Sequence, residues 1–565
     1  MRYETELIDV IKGYSSFLVY GAGFRGRITV ERIRISFPNA DIHVAVSQTQ
    51  NGSNFCGSYQ IRSIVDYKDI ADETWVVLIA TQEKFHNDIE ETTRLYGFKS
   101  ILRINEALFR DIQYNHDINS IRHDIYEAKC TTNKNIEILH KSNQFLQYQT
   151  MHAMRLEQLR IKACSGEKIK VVFLVTSEAT FIFESLCRVM KKNPLFDVVL
   201  FVFYSLYKED CSNSDELNKM KTYTEVLIQK GYNTFWGYDD YNMPIFLDSL
   251  SPDIIIYNNS NLIGKYNDIL NPHGYNVRNC IANTLSCFIM YGSLIINENT
   301  AHCFENDEII PAWKYFVGNR YEYDLASKSL VTNGFHHVLS GNPLFDPYIN
   351  ELTVSLPKKF VGKKKIIIFA PHWSMGRKYQ ITSFHYFWKH LTSLRDNNPE
   401  IGFILKPHPV LEKEIQEREK QGKEDSLPTF LEWREYISTW ENSSNSTVVT
   451  DSSFIEWFRL SDCLITDSMS FILSWLPTEK PCIFLKNPCS EKDTSKFFYA
   501  HILKVLDSYY ICENEHELKN IFSDVVLNDV DPKKGERIHQ KDQTIYNLGN
   551  AGNYIAEYIT QEIKG

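Results

Sequence analysis

At 565 residues the chain is long enough for three to four domains of roughly 150 residues each. Its 43% hydrophobic and 23% charged content excludes wholesale disorder. The 71 acidic and 61 basic residues give a formal charge of -10, which excludes a general nucleic-acid coat and a strongly polybasic membrane surface but leaves room for a local basic site.

Residues 1–115 read as a small Rossmann-like α/β unit, because short apolar runs alternate with helical patterns. Strands are predicted at Phe17 to Tyr20, Ile42 to Val46, Trp75 to Ala80 and Ile101 to Ile104. The first run leads into Gly21-Ala22-Gly23-Phe24-Arg25-Gly26, a G-x-G-x-x-G turn before a helical pattern. Gly21, Gly23 and Gly26 are therefore candidate nucleotide-binding positions. The acidic ribose-binding residue that a dinucleotide site wants at the end of the second strand is replaced by Val46-Ser47-Gln48, which favours an accessory domain with a structural turn.

Residues 116–165 contain neither proline nor glycine, and Ile121, Ile125, Ile136, Leu139, Leu146, Leu156 and Leu159 recur near helical spacing. One or two long linker helices are expected, either packed on their own domains or pairing two chains. A second α/β unit, 166–350, opens with predicted strands at Ile169 to Val175, Val198 to Tyr204 and Ile254 to Tyr257. A third, 351–565, has them at Ile366 to Ala370, Gly402 to Leu405, Thr447 to Val449, Cys463 to Thr466 and Cys482 to Leu485.

Twelve cysteines are scattered without a CxxC pair, so neither a zinc site nor a disulfide framework is expected. Met1-Arg2-Tyr3-Glu4 opens no signal-peptide apolar run, and no apolar stretch approaches the ~20 residues of a spanning helix. The expected location is cytoplasmic, or peripheral on the inner face of the cell membrane.

The third unit carries the sharpest chemistry. Gly402-Phe403-Ile404-Leu405-Lys406-Pro407-His408-Pro409 is a buried strand ending in a cation and an imidazole, and open α/β sheets place ligands at strand C-termini. The two prolines fix the backbone there, which raises His408 above the ordinary buried structural histidine. Lys406 and His408 suit stabilisation of phosphate charge, and His408 also proton transfer. Leu464-Ile465-Thr466-Asp467-Ser468-Met469-Ser470-Phe471 is a strand followed by a turn and helix start, read either as an anion cradle or as a plain N-cap. Ala370-Pro371-His372-Trp373-Ser374 offers His372 and Ser374 to a phosphate. Ser340-Gly341-Asn342-Pro343-Leu344-Phe345-Asp346 is turn chemistry between units, architectural rather than catalytic.

In this order the motifs resemble the CDP-glycerol glycerophosphotransferase family of teichoic-acid and capsule polymerases. The resemblance rests on Gly341-Asn342-Pro343 with Asp346, Ala370-Pro371-His372-Trp373, Lys406-Pro407-His408-Pro409, and Leu464 to Ser470 followed by Lys480-Pro481-Cys482-Ile483-Phe484. It covers about residues 168–565, and Gly549 to Ile559 is similar to the family's closing helix. It implies a two-lobed GT-B transferase, with an acceptor lobe at 166–350 and a nucleotide-donor lobe at 351–565. It further implies a CDP-linked donor held by His372, Ser374, Lys406, His408, Asp467, Ser468, Met469 and Ser470, a saccharide or polymer acceptor, and neither metal nor cofactor.

Two departures stand out. Phe288-Ile289-Met290-Tyr291-Gly292-Ser293-Leu294 places Tyr291 where the family has its proposed histidine base, with His273 as a substitute to consider alongside His302. Ser468-Met469-Ser470 stands where Tyr-Ser-Ser is usual. The expected function is transfer of glycerol phosphate or a similar polyol phosphate. The alternatives are a nucleotide-sugar glycosyltransferase, a cytidylyl-donor transferase of another phosphorus group such as a phosphoramidate, and a non-catalytic scaffold. The linker helices are candidates to join two copies or to place the chain near a membrane-bound acceptor.

Overall fold

The computed structural model describes residues 2–47, 55–56, 58–68, 72–178, 181–203, 214–258, 273–274, 280, 283–295, 304, 309–349, 355–373, 382–421, 428–450, 454–488 and 497–565. They fall into two compact units, 1–137 and 138–565.

In the first unit, β1 (Ser16–Tyr20), β2 (Asp41–Val46), β3 (Phe55–Cys56), β4 (Tyr59–Ser63), β5 (Trp75–Ile79) and β6 (Ile101–Arg103) form one sheet. Their order is β3-β4-β2-β1-β5-β6, parallel except where β3 meets β4. Every residue of β1 and β5 is buried, as continuous apolar runs demand when both faces of a parallel sheet are covered. Phe17 and Val19 pack on one side with Ile28 and Ile33 of the helix Phe24–Ser36, while Leu18 and Tyr20 face Tyr67 on the other. The hairpin of β3 and β4 was not anticipated; Tyr59–Ser63 is half-exposed and mixes polar residues into the run.

The region free of glycine and proline forms one unbroken helix, Glu106–Cys164, starting ten residues before the expected linker. It stops at Gly166, whose positive φ of 82° lets Glu167 N–H return to the Lys162 carbonyl at 3.1 Å.

The second unit holds two wholly parallel sheets. The first contains β7 (Ile169–Val175), β8 (Phe196–Val202), β9 (Thr234–Trp236), β10 (Ile254–Tyr257), β11 (Leu285–Ile289), β12 (Lys314–Val317) and β13 (His337–Leu339), in the order β13-β12-β11-β10-β7-β8-β9. The second contains β14 (Lys365–Ala370), β15 (Ile401–Leu405), β16 (Ser446–Val448), β17 (Cys463–Thr466), β18 (Cys482–Leu485) and β19 (Tyr510–Cys512), in the order β16-β15-β14-β17-β18-β19. These are two α/β lobes, as the resemblance implies, and one apolar cluster, including Phe288, Tyr315, Leu464 and Tyr499, runs through both.

The expected donor-lobe boundary of 351–565 fails at its end. The closing helix Ala551–Lys564 leaves the second sheet and buries Ile555, Ala556, Ile559 and Ile563 against the first-sheet cluster of Ile169, Leu186 and Met190. Its apolar stripe recurs at three- and four-residue steps, and each buried Ile contributes about 1.5–3 kcal/mol. Among the described residues, no helix is long and apolar enough to cross a membrane.

Candidate active site

Three strand tips build the site. β14 lies between β15 and β17, so the segments that follow Ala370, Leu405 and Thr466 emerge side by side at the C-terminal edge of the second sheet. The tips are stitched together below the surface. Lys406 N–H donates to the Phe369 carbonyl at 2.8 Å, His408 N–H to Pro371 at 3.3 Å, and the Thr466 hydroxyl to Ala370 at 2.6 Å.

Lys406 is buried at 7% exposure, whereas His408 is half-buried. The His408 ring lies 5.7 Å from that of His372 and 5.9 Å from that of Trp373, centroid to centroid. Its Nδ1 accepts from Val410 N–H at 3.2 Å, which assigns the proton of the neutral ring to Nε2 and makes that nitrogen a donor. Burial, with His372 and Lys406 beside it, pushes the imidazole down to about 4. At neutral pH His408 is therefore a neutral N–H donor, with the rings of His372 and Trp373 beside it and the charge of the buried Lys406 close enough to be felt. This arrangement suits an anion with oxygens to be hydrogen-bonded.

Asp467 reaches the same place but faces inward. It is fully buried, and Oδ1 accepts from His372 N–H at 2.6 Å. Oδ2 accepts from the Thr382 hydroxyl, from Ser383 N–H at 2.7 Å and from Phe384 N–H at 3.1 Å. The expectation that Asp467 touches the donor is corrected accordingly: its carboxylate anchors the His372 tip and the start of the helix Phe384–Asp396. Met469 is also turned inward, into the core, and brings no side chain to the site. Ser468 and Ser470 pair their hydroxyls at 2.9 Å, with Ser470 exposed. Ser374 lies outside the described residues.

The first-lobe candidates do not join this cluster. Tyr291 is 47% exposed beyond the end of β11, and its N–H donates to the Asn258 carbonyl at 3.1 Å. His273 is fully buried among Phe201, Phe203 and Tyr238, with Nδ1 3.0 Å from the Ile245 carbonyl. Burial lowers its pKa, and that nest walls it from solvent, so its expected part as a base is replaced by a structural one.

Sequence reasoning missed Glu322. Its buried carboxylate accepts from Leu294 N–H at 2.9 Å and braces the Tyr291 loop from beneath, and burial pushes it up to about 7. The signal was present as Asn319-Arg320-Tyr321-Glu322, an N-cap followed three residues later by glutamate; the Asn319 side chain accepts from Glu322 N–H at 2.9 Å.

In the first unit the glycine turn is a steric necessity. A Cβ on Gly26 would meet the Gly21 carbonyl oxygen at 1.6 Å, and Gly21 itself takes φ +124°. Gly23 has open space around it.

Residues 297–561 match the family model of CDP-glycerol:poly(glycerophosphate) glycerophosphotransferases. The matched span holds the Gly341-to-Asp346 turn and all three strand tips, while Tyr291 and His273 precede it. The match supports a transferase that draws on a CDP-glycerol donor. No curated protein sequence matches the chain. Among solved structures, the wall teichoic acid polymerase TagF is similar at 14% identity, covering 76% of this chain and 98% of that one, with a TM-score of 0.46. A UDP-bound MnaA from S. aureus is similar at 12% identity over 69% of this chain and 96% of that one, with a TM-score of 0.42. A putative UDP-N-acetylglucosamine 2-epimerase from Listeria monocytogenes is similar at 13% identity over 70% and 97%, with a TM-score of 0.40.

Proposed function

We propose that the chain transfers glycerol phosphate, or a similar polyol phosphate, from a CDP-activated donor to a hydroxyl of a saccharide or polymer in surface-polysaccharide synthesis. The observation that carries this reading is the convergence of Lys406, His408 and His372 on neighbouring strand tips inside the family-matched span. The acceptor oxygen attacks the β-phosphorus in line. The bond from that phosphorus to the bridging oxygen breaks, CMP departs with the electron pair, and the hydroxyl proton passes to a base. Lys406 and the Nε2–H of His408 stabilise the oxygens on which charge gathers, and the exposed Ser470 hydroxyl, held by the buried Ser468, orients the donor. Tyr291, on the loop that Glu322 braces, is the first-lobe group offered to the acceptor side. Peripheral placement at the inner membrane face belongs to the same reading, because a surface polymer under synthesis is held there.

The test is mass spectrometry of the full chain incubated with cytidine and uridine donors and a polyol-phosphate primer. CMP release with primer extension is expected, and His408→Ala should lower turnover about 10²-fold or more at an unchanged thermal midpoint. Turnover of UDP-sugars alone, or near-normal turnover in His408→Ala, would overturn the reading.

A further inference from the structure

The helix Glu106–Cys164 has two unlike faces over its last thirty or so residues. One is docked: Phe145, His152, Leu156 and Leu159 are buried against the first lobe. Diametrically opposite, Ile136 is 60% exposed, and Leu139, Leu146, Met154 and Ile161 are 63–65% exposed. At 100° per residue these five side chains fall within an arc of about 80° and run along roughly 37 Å of helix. Between Asn135 and Cys164 the stripe and its borders consist of these residues with Asn135, Asn143, Gln147, Thr150, Ala153 and Cys164, and the one charge within it is Glu157, which pairs with Arg160 at the margin at 3.5 Å.

We propose that this stripe is the seam of a two-fold antiparallel coiled coil with a second copy of the chain. Three features identify the occupant. The stripe is too narrow for burial in a globular core and has the width of a two-helix seam. It is self-complementary about Thr150: pairing residues whose numbers sum to 300 sets Leu139 on Ile161, Leu146 on Met154, and Asn143 beside Glu157. A parallel pair would instead stack Glu157 on Glu157. The area also suffices, since the five apolar side chains and the small polar ones between them expose roughly 500 Å² per copy, or about 1,000 Å² for a pair, where specific interfaces begin. A lipid surface would want a wider face, with aromatic anchors and several flanking lysines or arginines; the stripe has no aromatic residue, and the one cation at its margin, Arg160, is paired with Glu157. The inference does not depend on the transferase reading.

The test is sedimentation of the full chain at micromolar concentration, repeated with Leu146→Glu, with Met154→Lys and with both together. A mass near twice 66.0 kDa is expected. Each single charge should raise the dissociation constant by at least about 10-fold, and the double variant should restore dimerisation because residue 146 of one copy faces 154 of the other. These side chains are exposed, so circular dichroism should remain unchanged. A monomeric parent chain would overturn the proposal, as would single variants that dimerise normally, a double variant weaker than either single one, or a parent monomer that floats with phosphatidylglycerol vesicles.

Discussion

The reading of Asp467 as an anchor makes a sharp prediction for Asp467→Asn. Each carboxylate oxygen is committed: Oδ1 to His372 N–H, and Oδ2 to one hydroxyl and two amides. The amide can keep an oxygen on the three-donor side, but its NH2 then faces the His372 N–H across 2.6 Å, donor against donor. An unsatisfied buried N–H costs about 1–3 kcal/mol, and loss of charge assistance weakens each remaining bond by roughly 1 kcal/mol. The sum is about 4–6 kcal/mol, a large share of a typical folding free energy of about 5–15 kcal/mol. Urea unfolding followed by tryptophan fluorescence should show that loss. Turnover should fall about 10²-fold, because the His372 tip and the start of Phe384–Asp396 move together. A direct donor contact would behave differently, lowering donor affinity at undisturbed stability. A variant within about 0.5 kcal/mol of the parent, with weakened CDP binding, would refute the anchoring argument.

Two further outcomes follow from the histidines. His408 is held near 4 by burial and by His372 and Lys406, and its Nδ1 is already taken by Val410 N–H, so the ring meets a pyrophosphate as a neutral Nε2–H donor and donor binding should take up no proton at His408 between about pH 8 and about 6. Calorimetry of the parent chain and of His408→Gln in buffers of different ionisation enthalpy checks this, and a proton uptake lost in the variant would refute the neutral-donor role. His152 and His337 are pushed by burial to about 4 and about 3, and His336 is lowered as well. The fold favours the neutral rings, so their stability is complete above the unfolded value of about 6.5 and is lost as pH falls through that value toward 4, with about 3 kcal/mol from His152 alone. Unfolding at a series of pH values should show this slope, and His152→Phe should flatten it.

Legibility followed burial in part: Leu285–Ile289 and Lys314–Val317 lie inside a sheet, the first buried throughout, and were not anticipated. Strands that are continuous apolar runs in a sheet interior, such as Ile169–Val175, Ile254–Tyr257 and Cys463–Thr466, end where the sequence pattern ends. Thr234–Trp236 and Tyr510–Cys512 were invisible because they are three-residue edge strands with partly exposed side chains, too short for any period to register. The strand tips were readable because charge and proline interrupt apolar runs there. What could not be read was direction. Asp467 and His408 look equally polar in sequence, yet one turns into the protein and the other out of it, and only the fold decides which amides lie within reach.

The turn at Gly341 to Asp346 shows how the same argument reaches the architecture. Asp346 is buried, and its two oxygens accept from Ala551 N–H at 2.9 Å and Gly552 N–H at 2.8 Å, so it satisfies the first amides of the closing helix. Asn547 donates back to the Ser340 carbonyl at 3.0 Å. A Cβ on Gly341 would meet the Tyr546 carbonyl at 2.4 Å, and one on Gly552 would meet the Ser185 hydroxyl at 2.6 Å. The segment leaving the first lobe and the segment returning to it are thus fastened to each other side by side. A motif without chemistry of its own thereby fixes where both crossings lie. On the proposed reading the strand tips of the second sheet hold the phosphates, and the fastened crossings are what join that lobe to the one bearing Tyr291.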